Sequence, residues 1–288
     1  MSEDLDARLR AAAEGVDART LVDLGCDLAD AGRHPDAEGC FRRAVALGEE
    51  WVSFNLGNEL MAQGRLTEAV DAFNRAIVAG EPDAWLNLGH CYQDLGDVAE
   101  AMHAYREADA VNDPNGALAL AYMLREQGEA DEAEALARRA ASLGNLEALG
   151  AAACWQYDRT LDPALEADLR RGAAHYPSAR ADLAHILRDT GRAEEARQEL
   201  TLGAKLGQRE CWLPLGNLLD DVFGDPAAAE DAYRAGIAAG DTYCHHNLGL
   251  LLLERGDRPG AEEQFRRGSQ AGDRLAEHAL RDLLNDEE

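Results

Sequence analysis

The chain has 288 residues, 46% of them hydrophobic, enough to bury a sizeable core and to exclude a disordered polypeptide. Its 28 Lys and Arg stand against 55 Asp and Glu, and the formal charge of -27 repels phosphate backbones and anionic lipid headgroups, so neither nucleic acid nor a membrane surface is an expected direct partner. No apolar run approaches the ~18 residues of a membrane span, and Met1-Ser2-Glu3-Asp4 lacks the basic start and apolar core of a leader, which makes a cytoplasmic location the expectation.

Residues 4 to 15 run into Gly15 as a helix runs into its terminal glycine, and residues 1-18 are expected to form a capping half-repeat. From there a unit recurs. Leu24-Gly25, Leu56-Gly57, Leu88-Gly89 and Leu120-Ala121 are spaced by 32 residues, and Ala152-Ala153, Leu183-Ala184, Leu215-Gly216 and Leu248-Gly249 continue the series, giving eight repeats over 19-272. Seven residues after the small residue comes Gly32, Gly64, Gly96, Gly128, Gly191 or Gly256, with Gly224 one residue later, each in the place of a left-handed helix cap. Twelve residues after it stands Ala37, Ala69, Ala101, Ala133, Ala196 or Ala261, and sixteen after it Phe41, Phe73, Tyr105, Leu200 or Phe265. A second helix then ends at Gly48, Gly80, Gly144, Gly207, Gly240 or Gly272, with Asn112 in the third repeat. Pro35, Pro226 and Pro259 start second helices, where a missing N–H costs nothing. Each repeat is therefore two helices of about 12 residues that close on one another where a glycine or alanine meets the alanine at plus twelve, and that need neighbouring repeats to bury their apolar faces.

The motif Trp85-Leu86-Asn87-Leu88-Gly89 with Ala101-Met102-His103-Ala104-Tyr105 resembles the tetratricopeptide repeat, and the connections into the next Leu-Gly resemble the Sel-like repeat. This resemblance implies an all-α, right-handed superhelical α-solenoid that binds protein or peptide in a concave groove lined by the first helices. The fifth repeat, about 145-177, departs from the pattern, with Thr160 at one turn, His175 or Tyr176 at the other and a shortened second helix begun by Asp162-Pro163. Its divergence reads either as drift or as a bend for a partner. After Gly272, Leu275, Ala276, Ala279, Leu280, Leu283 and Leu284 follow helical spacing, so 273-288 is expected to be a C-terminal capping helix that completes the array.

Five residues after the small residue, on the expected groove face, stand Asp30, Ala62, Asp94, Glu126, Asp158, Asp189, Asp221 and Glu254, seven acids in eight positions. A carboxylate at a helix C-terminus opposes the macrodipole at a cost of ~0.3–1 kcal/mol, so stability does not choose it. Acidic composition and an acidic ladder for a basic segment both account for the column. One turn earlier are Cys26, Asn58, His90, Tyr122, Cys154, His185, Asn217 and Leu250. His90 with Asp94, and His185 with Asp189, have the spacing of metal ligands, but each pair offers two ligands and no metal or other cofactor is expected. In the second repeat Trp51, Phe54 and Met61, with Leu86 adjoining, replace charge by an apolar dock, unless Trp51 merely packs on the preceding repeat. Trp85 and Trp212 occupy the family's core aromatic position.

Six scattered cysteines form no C-x-x-C pair and are expected to be buried thiols rather than zinc ligands or disulfides. No phosphate loop, G-x-G-x-x-G, H-E-x-x-H or G-x-S-x-G motif occurs, and an enzyme is not expected. Lys205 is the sole lysine, and beyond Arg125 and Arg188 the groove columns offer few cations for a phosphopeptide or a terminal carboxylate. The expected function is a scaffold or adaptor holding a protein segment with basic and apolar elements. The alternative is an acidic regulator that mimics nucleic-acid charge and blocks a nucleic-acid-binding protein.

Overall fold

A computed structural model describes residues 2–285, and among these there are eighteen α-helices, three short 3-10 turns and no strand. Met1 and residues 286–288, at the outer ends of the two expected caps, lie outside the described residues. The helices fall into two compact blocks, residues 1–145 and 146–288.

In the first block α1 (Ser2–Ala13) precedes four antiparallel pairs: α2 (Ala18–Asp30) with α3 (His34–Ala46), α4 (Ser53–Ala62) with α5 (Leu66–Val78), α6 (Ala84–Leu95) with α7 (Val98–Ala110), and α8 (Pro114–Glu126) with α9 (Ala130–Ser142). In the second block the pairs are α10 (Leu146–Thr160) with α11 (Glu166–Gly172), α12 (Pro177–Asp189) with α13 (Ala193–Lys205), α14 (Trp212–Asp221) with α15 (Pro226–Ala238), and α16 (Cys244–Glu254) with α17 (Arg258–Gln270), followed by α18 (Arg274–Asn285). This is the expected all-α repeat architecture. Every glycine assigned to a helix end has positive φ, from 61° at Gly224 to 115° at Gly15, and Asn112 fills its slot at 64°. At such an end the next amide reaches back to close the helix, as Arg33 N does to Leu28 O at 2.8 Å beside Gly32 N to Ala29 O at 2.8 Å.

The core of each pair is a volume match. A methyl built on Gly57 would lie 2.6 Å from Cε1 of Phe73, and one on Gly25 would lie 2.5 Å from Phe41, so the ring sixteen residues on occupies the space the glycine vacates. Gly89 with Tyr105 and Gly249 with Phe265 repeat the arrangement, and Gly216 does so with Tyr233, one residue further on where Gly224 also falls one later. Where alanine replaces the glycine, at Ala121, Ala153 and Ala184, the residue sixteen on is Ala137, Leu169 or Leu200, all buried and none aromatic. The alanine at plus twelve is buried throughout, but it is the ring, not that alanine, that fills the small residue's space.

Adjacent second helices are tied by an arginine clamp the repeat pattern did not reveal. Arg65 pairs with Glu38 one repeat back (2.7 Å) and with Glu68 three residues on (2.5 Å). Arg33 does the same with Asp6 (2.6 Å) and Asp36 (2.6 Å), and Arg192 with Glu166 (2.9 Å) and Glu195 (2.7 Å). Asp6 on α1 thus takes the place that Glu38 and Glu166 hold on the second helices of full repeats.

The fifth pair is built differently. Its left-handed residue is Leu161 (φ 51°), one beyond Thr160, and α10 runs to 15 residues while α11 has seven. Asp162 Oδ1 caps the 3-10 turn Pro163–Leu165 by accepting from Ala164 N at 2.9 Å. Gly150 and Gly172 let the two helices meet backbone to backbone, a methyl on Gly150 lying 3.3 Å from the Gly172 Cα. Arg180, 5% exposed, pairs with Glu199 and donates from Nε to Gln208 Oε1 at 2.8 Å, while Gln208 Nε2 donates to Ala173 O at 2.8 Å. That network fastens the end of α11 to α13. In α18 the apolar stripe is narrower than expected, since Ala276 and Leu283 are buried but Leu275 and Leu284 are exposed.

Candidate functional site

Helical spacing puts the residues at minus three, plus one and plus four from the small residue on one stripe of each first helix, with plus five beside it, and minus six continues the stripe in α2, α8, α10 and α12 but falls in the turn just before the helix at Trp51, Asp83, Glu210 and Tyr243. In the first block that stripe ends in Asp30, Asp94 and Glu126, all exposed and, among the described residues, without an ion-pair partner. Exposed Ala62 stands between the first two. Second helices carry their acids differently. Glu38 meets Arg42 and Arg65, Glu68 meets Arg65 and Arg42, and Asp109 meets Arg139 at 2.6 Å. Arg42, Arg65 and Arg139 thus bridge second helices, and on the first helices Asp27 pairs with Arg8 and buried Glu59 with His34, so the uncompensated first-helix column is that of Asp30, Asp94 and Glu126. In the second block Asp158, Asp189, Asp221 and Glu254 are all exposed, Asp189 is held 2.9 Å from the adjacent Arg188, and Asp221 and Glu254 have no ion-pair partner among the described residues.

The column one turn earlier is only partly free. Asn58 accepts from Asn87 Nδ2 at 2.8 Å, and Asn217 accepts from Asn247 Nδ2 at 2.6 Å and from Tyr233 Oη at 2.8 Å. These asparagines stitch consecutive first helices together, so part of their bonding capacity is structural. Asp182 completes the same register, its half-buried carboxyl accepting from the Cys154 thiol; burial, reinforced by the Asp158 charge, raises its pKa to about 6. His90 is exposed and stands edge-on to Tyr105 with ring centroids 5.6 Å apart, and Tyr122 is half-buried. His185 and Asn217 come together in a cleft of about 20 Å³ between α12 and α14, where burial holds the His185 imidazole below the usual histidine range. Among the described residues no group of three His, Cys, Asp or Glu side chains is placed to hold a metal ion.

The apolar residues of the second repeat divide. Phe54 and Met61 are half-buried and pack against the core, Phe54 at 6.1 Å from the Phe73 ring. Leu86 is half-buried on the adjoining helix. Trp51 is 42% exposed, its Nε1 donating to Glu49 Oε2 at 2.8 Å, so a substantial part of a large indole meets solvent. Trp85 and Trp212 pack against the cores of their blocks. All six cysteines are free thiols and all but Cys26 are buried. No helix is long and apolar enough to cross a membrane among the described residues.

Sequence reasoning passed over one further stripe. In the eighth repeat Tyr243, His246, Leu250 and Leu253 share the register of Trp51, Phe54, Asn58 and Met61, and Tyr243 and Leu250 are exposed. Setting the eight repeats side by side at minus six and plus one isolates both residues.

Tetratricopeptide repeat models match residues 18–50, 54–117, 114–139, 177–200 and 242–267, together more than half of the chain. No curated protein matches the sequence. Among solved structures, a protective antigen of uropathogenic Escherichia coli with an SLR fold superposes at a TM-score of 0.73 and 20% identity, over 96% of this chain and 66% of that one. A Sel1 repeat protein from Oxalobacter formigenes gives 0.61 at 22% identity, over 76% and 98%. The APC/C hetero-tetramer Cut9-Hcn1 gives 0.60 at 16% identity, over 92% and 55%. The chain thus spans just under two thirds of the first of these proteins, and the likenesses concern the fold. With its Leu-Gly register, left-handed turn glycines and these matches, the chain belongs to the tetratricopeptide repeat family and carries Sel-like repeat character in its connections.

Proposed function

We propose that the chain is a non-enzymatic scaffold whose first-helix faces hold a partner polypeptide carrying basic and apolar elements. One observation carries this reading: in the first block Arg42, Arg65 and Arg139 are paired between second helices, while Asp30, Asp94 and Glu126 stay exposed and, among the described residues, without an ion-pair partner. Packed helices lie about 8–10 Å apart, so carboxylates on successive first helices match cations every three residues of an extended segment or every six or seven of a helix. Trp51 and half-buried Phe54, Met61 and Leu86 supply the apolar element where Ala62 interrupts the acids. One of the similar folds belongs to a hetero-tetramer, Cut9-Hcn1, an assembly of different chains that is consistent with the same use here.

The test is affinity capture from the native cell with wild type, Asp94→Arg/Glu126→Arg and Trp51→Ala, followed by measured affinity for the captured protein at two salt concentrations. Charge reversal is expected to lower affinity at least tenfold and to flatten its salt dependence, while leaving the unfolding temperature unchanged or raised. A partner bound equally by wild type and both variants would remove the groove from the mechanism.

A further inference from the structure

The second block carries its own apolar anchor, on the first helix of the eighth repeat. We infer that it receives a bulky apolar side chain of a partner polypeptide bearing a basic residue within about three helical turns of it. This rests on the groove reading above and adds a site and a partner chemistry to it.

Six residues before the small residue the repeats carry Arg19, Trp51, Asp83, Asn115, Glu147, Ser178, Glu210 and Tyr243. Aromatic side chains occur there in repeats two and eight alone. At plus one, Leu250 is the only aliphatic among Cys26, Asn58, His90, Tyr122, Cys154, His185 and Asn217. Both are displayed rather than packed: Tyr243 is 60% and Leu250 43% exposed, although the same helix buries Leu248, Leu251 and Leu252. Leaving such side chains in water forgoes the ~1.5–3 kcal/mol their full burial is worth, and a polar residue would serve solubility better.

Tyr243 also forms one wall of a cleft of about 320 Å³, with Leu213 and Pro214 of α14 opposite, the Gly240–Thr242 turn as floor and Arg209 and Glu210 at the rim. Asp241 Oδ1 accepts from Tyr243 N at 3.2 Å and fixes that wall. The volume takes one or two large side chains and lies at the small end of ligand sites. The rim adds no net charge, since Arg209 faces Glu210 at 3.7 Å. Negative charge comes from Asp241 in the floor, from Glu254, one turn or about 6 Å along the helix from Leu250, and from Asp221 on the preceding first helix, the last two exposed and without an ion-pair partner among the described residues. A cleft walled by Tyr243, Leu213 and Pro214, then exposed Leu250, then an unpaired carboxylate about 16 Å along the helix from Tyr243, fits an apolar residue followed or preceded by Lys or Arg.

A random 12-residue peptide library displayed on phage tests this, selected on the immobilised full chain and counter-selected on Tyr243→Ser/Leu250→Ser. Both positions are exposed, and Leu250→Lys, which repels a cation without touching the core, is the second variant. Survivors are expected to combine a large apolar residue with Lys or Arg, and to bind wild type at least tenfold tighter than either variant or Asp221→Arg/Glu254→Arg. No survivors, or survivors without an apolar residue, overturn the anchor. If basic peptides selected on wild type are instead lost only on Asp94→Arg/Glu126→Arg, the anchor falls and the groove reading stands. If wild type selects no basic peptides, both fall. A dimer in sedimentation that Tyr243→Ser/Leu250→Ser abolishes overturns the inference by giving the stripe to a second copy.

Discussion

Gly57→Ala places a carbon 2.6, 2.7 and 2.8 Å from Cε1, Cδ1 and Cζ of Phe73, where carbon atoms rest at about 3.5–4.0 Å. Phe73 is fully buried, so the ring yields only by leaving its rotamer. Overpacking of this kind costs ~1–3 kcal/mol, and alanine recovers ~1 kcal/mol of helix propensity, which leaves a net loss of about 1–2 kcal/mol. Phe73→Leu alone opens space and costs about 1–2 kcal/mol, less than the ~3–5 of truncation to alanine. Combined, the two recreate the pairing the chain already uses at Ala184 and Leu200. The steric term then vanishes, so the double variant is expected to be more stable than the sum of the single losses by at least ~1 kcal/mol. Urea unfolding followed by circular dichroism reads all four corners of the cycle, with a 1 kcal/mol difference moving the thermal midpoint by ~2–4 °C. A neutral or stabilising Gly57→Ala, or strict additivity, refutes the volume match.

Arg180→Ala leaves Glu199 without its buried partner and frees the end of α11, at an expected cost of about 2–4 kcal/mol. Hydrogen exchange should accelerate first in α11, and a thermal loss equivalent to under ~1 kcal/mol would show that the network is not what fastens it. Asp182 gives a pH signature: burial and then Asp158 raise its pKa from 3.8 to about 6, so its contribution is fully present below pH ~4 and is lost as pH rises through 6. Relative to Asp182→Asn, wild type is expected to lose roughly 2 kcal/mol between pH 4 and pH 7, and parallel midpoint curves for the two proteins would refute the assignment.

What could be read from the sequence, and what could not, follows from periodicity. Left-handed helix ends have a residue signature, so every turn glycine and Asn112 stood where expected. The volume match was half visible, because small and large positions recur at fixed offsets, but only the coordinates show the ring of Phe73 inside the space of Gly57. The arginine clamp also has a fixed register in Arg33, Arg65 and Arg192, yet it occurs in too few repeats to rise above a charged background. Gly150, Gly172 and the Arg180 network lie outside the repeat altogether, with partners 19 to 35 residues apart. The fifth pair had to invent a junction, and an irregular junction leaves no period to find.

The placement of Asp30, Asp94 and Glu126 carries an energetic cost. A chain with about half as many cations as anions gains most by setting each arginine between two carboxylates, as the clamps on the second helices do. Carboxylates left over would sit most cheaply at helix N-termini, where the macrodipole favours them by ~0.3–1 kcal/mol. Asp30, Asp94 and Glu126 sit instead in the last turns of first helices, unpaired and exposed, where the same dipole opposes them. Three such placements in one block cost about 1–3 kcal/mol relative to neutral residues, a sum that solubility alone could have avoided by choosing the opposite helix ends. The partner-holding function proposed above supplies a reason for this penalty, set in register beside an exposed Trp51, that folding by itself does not.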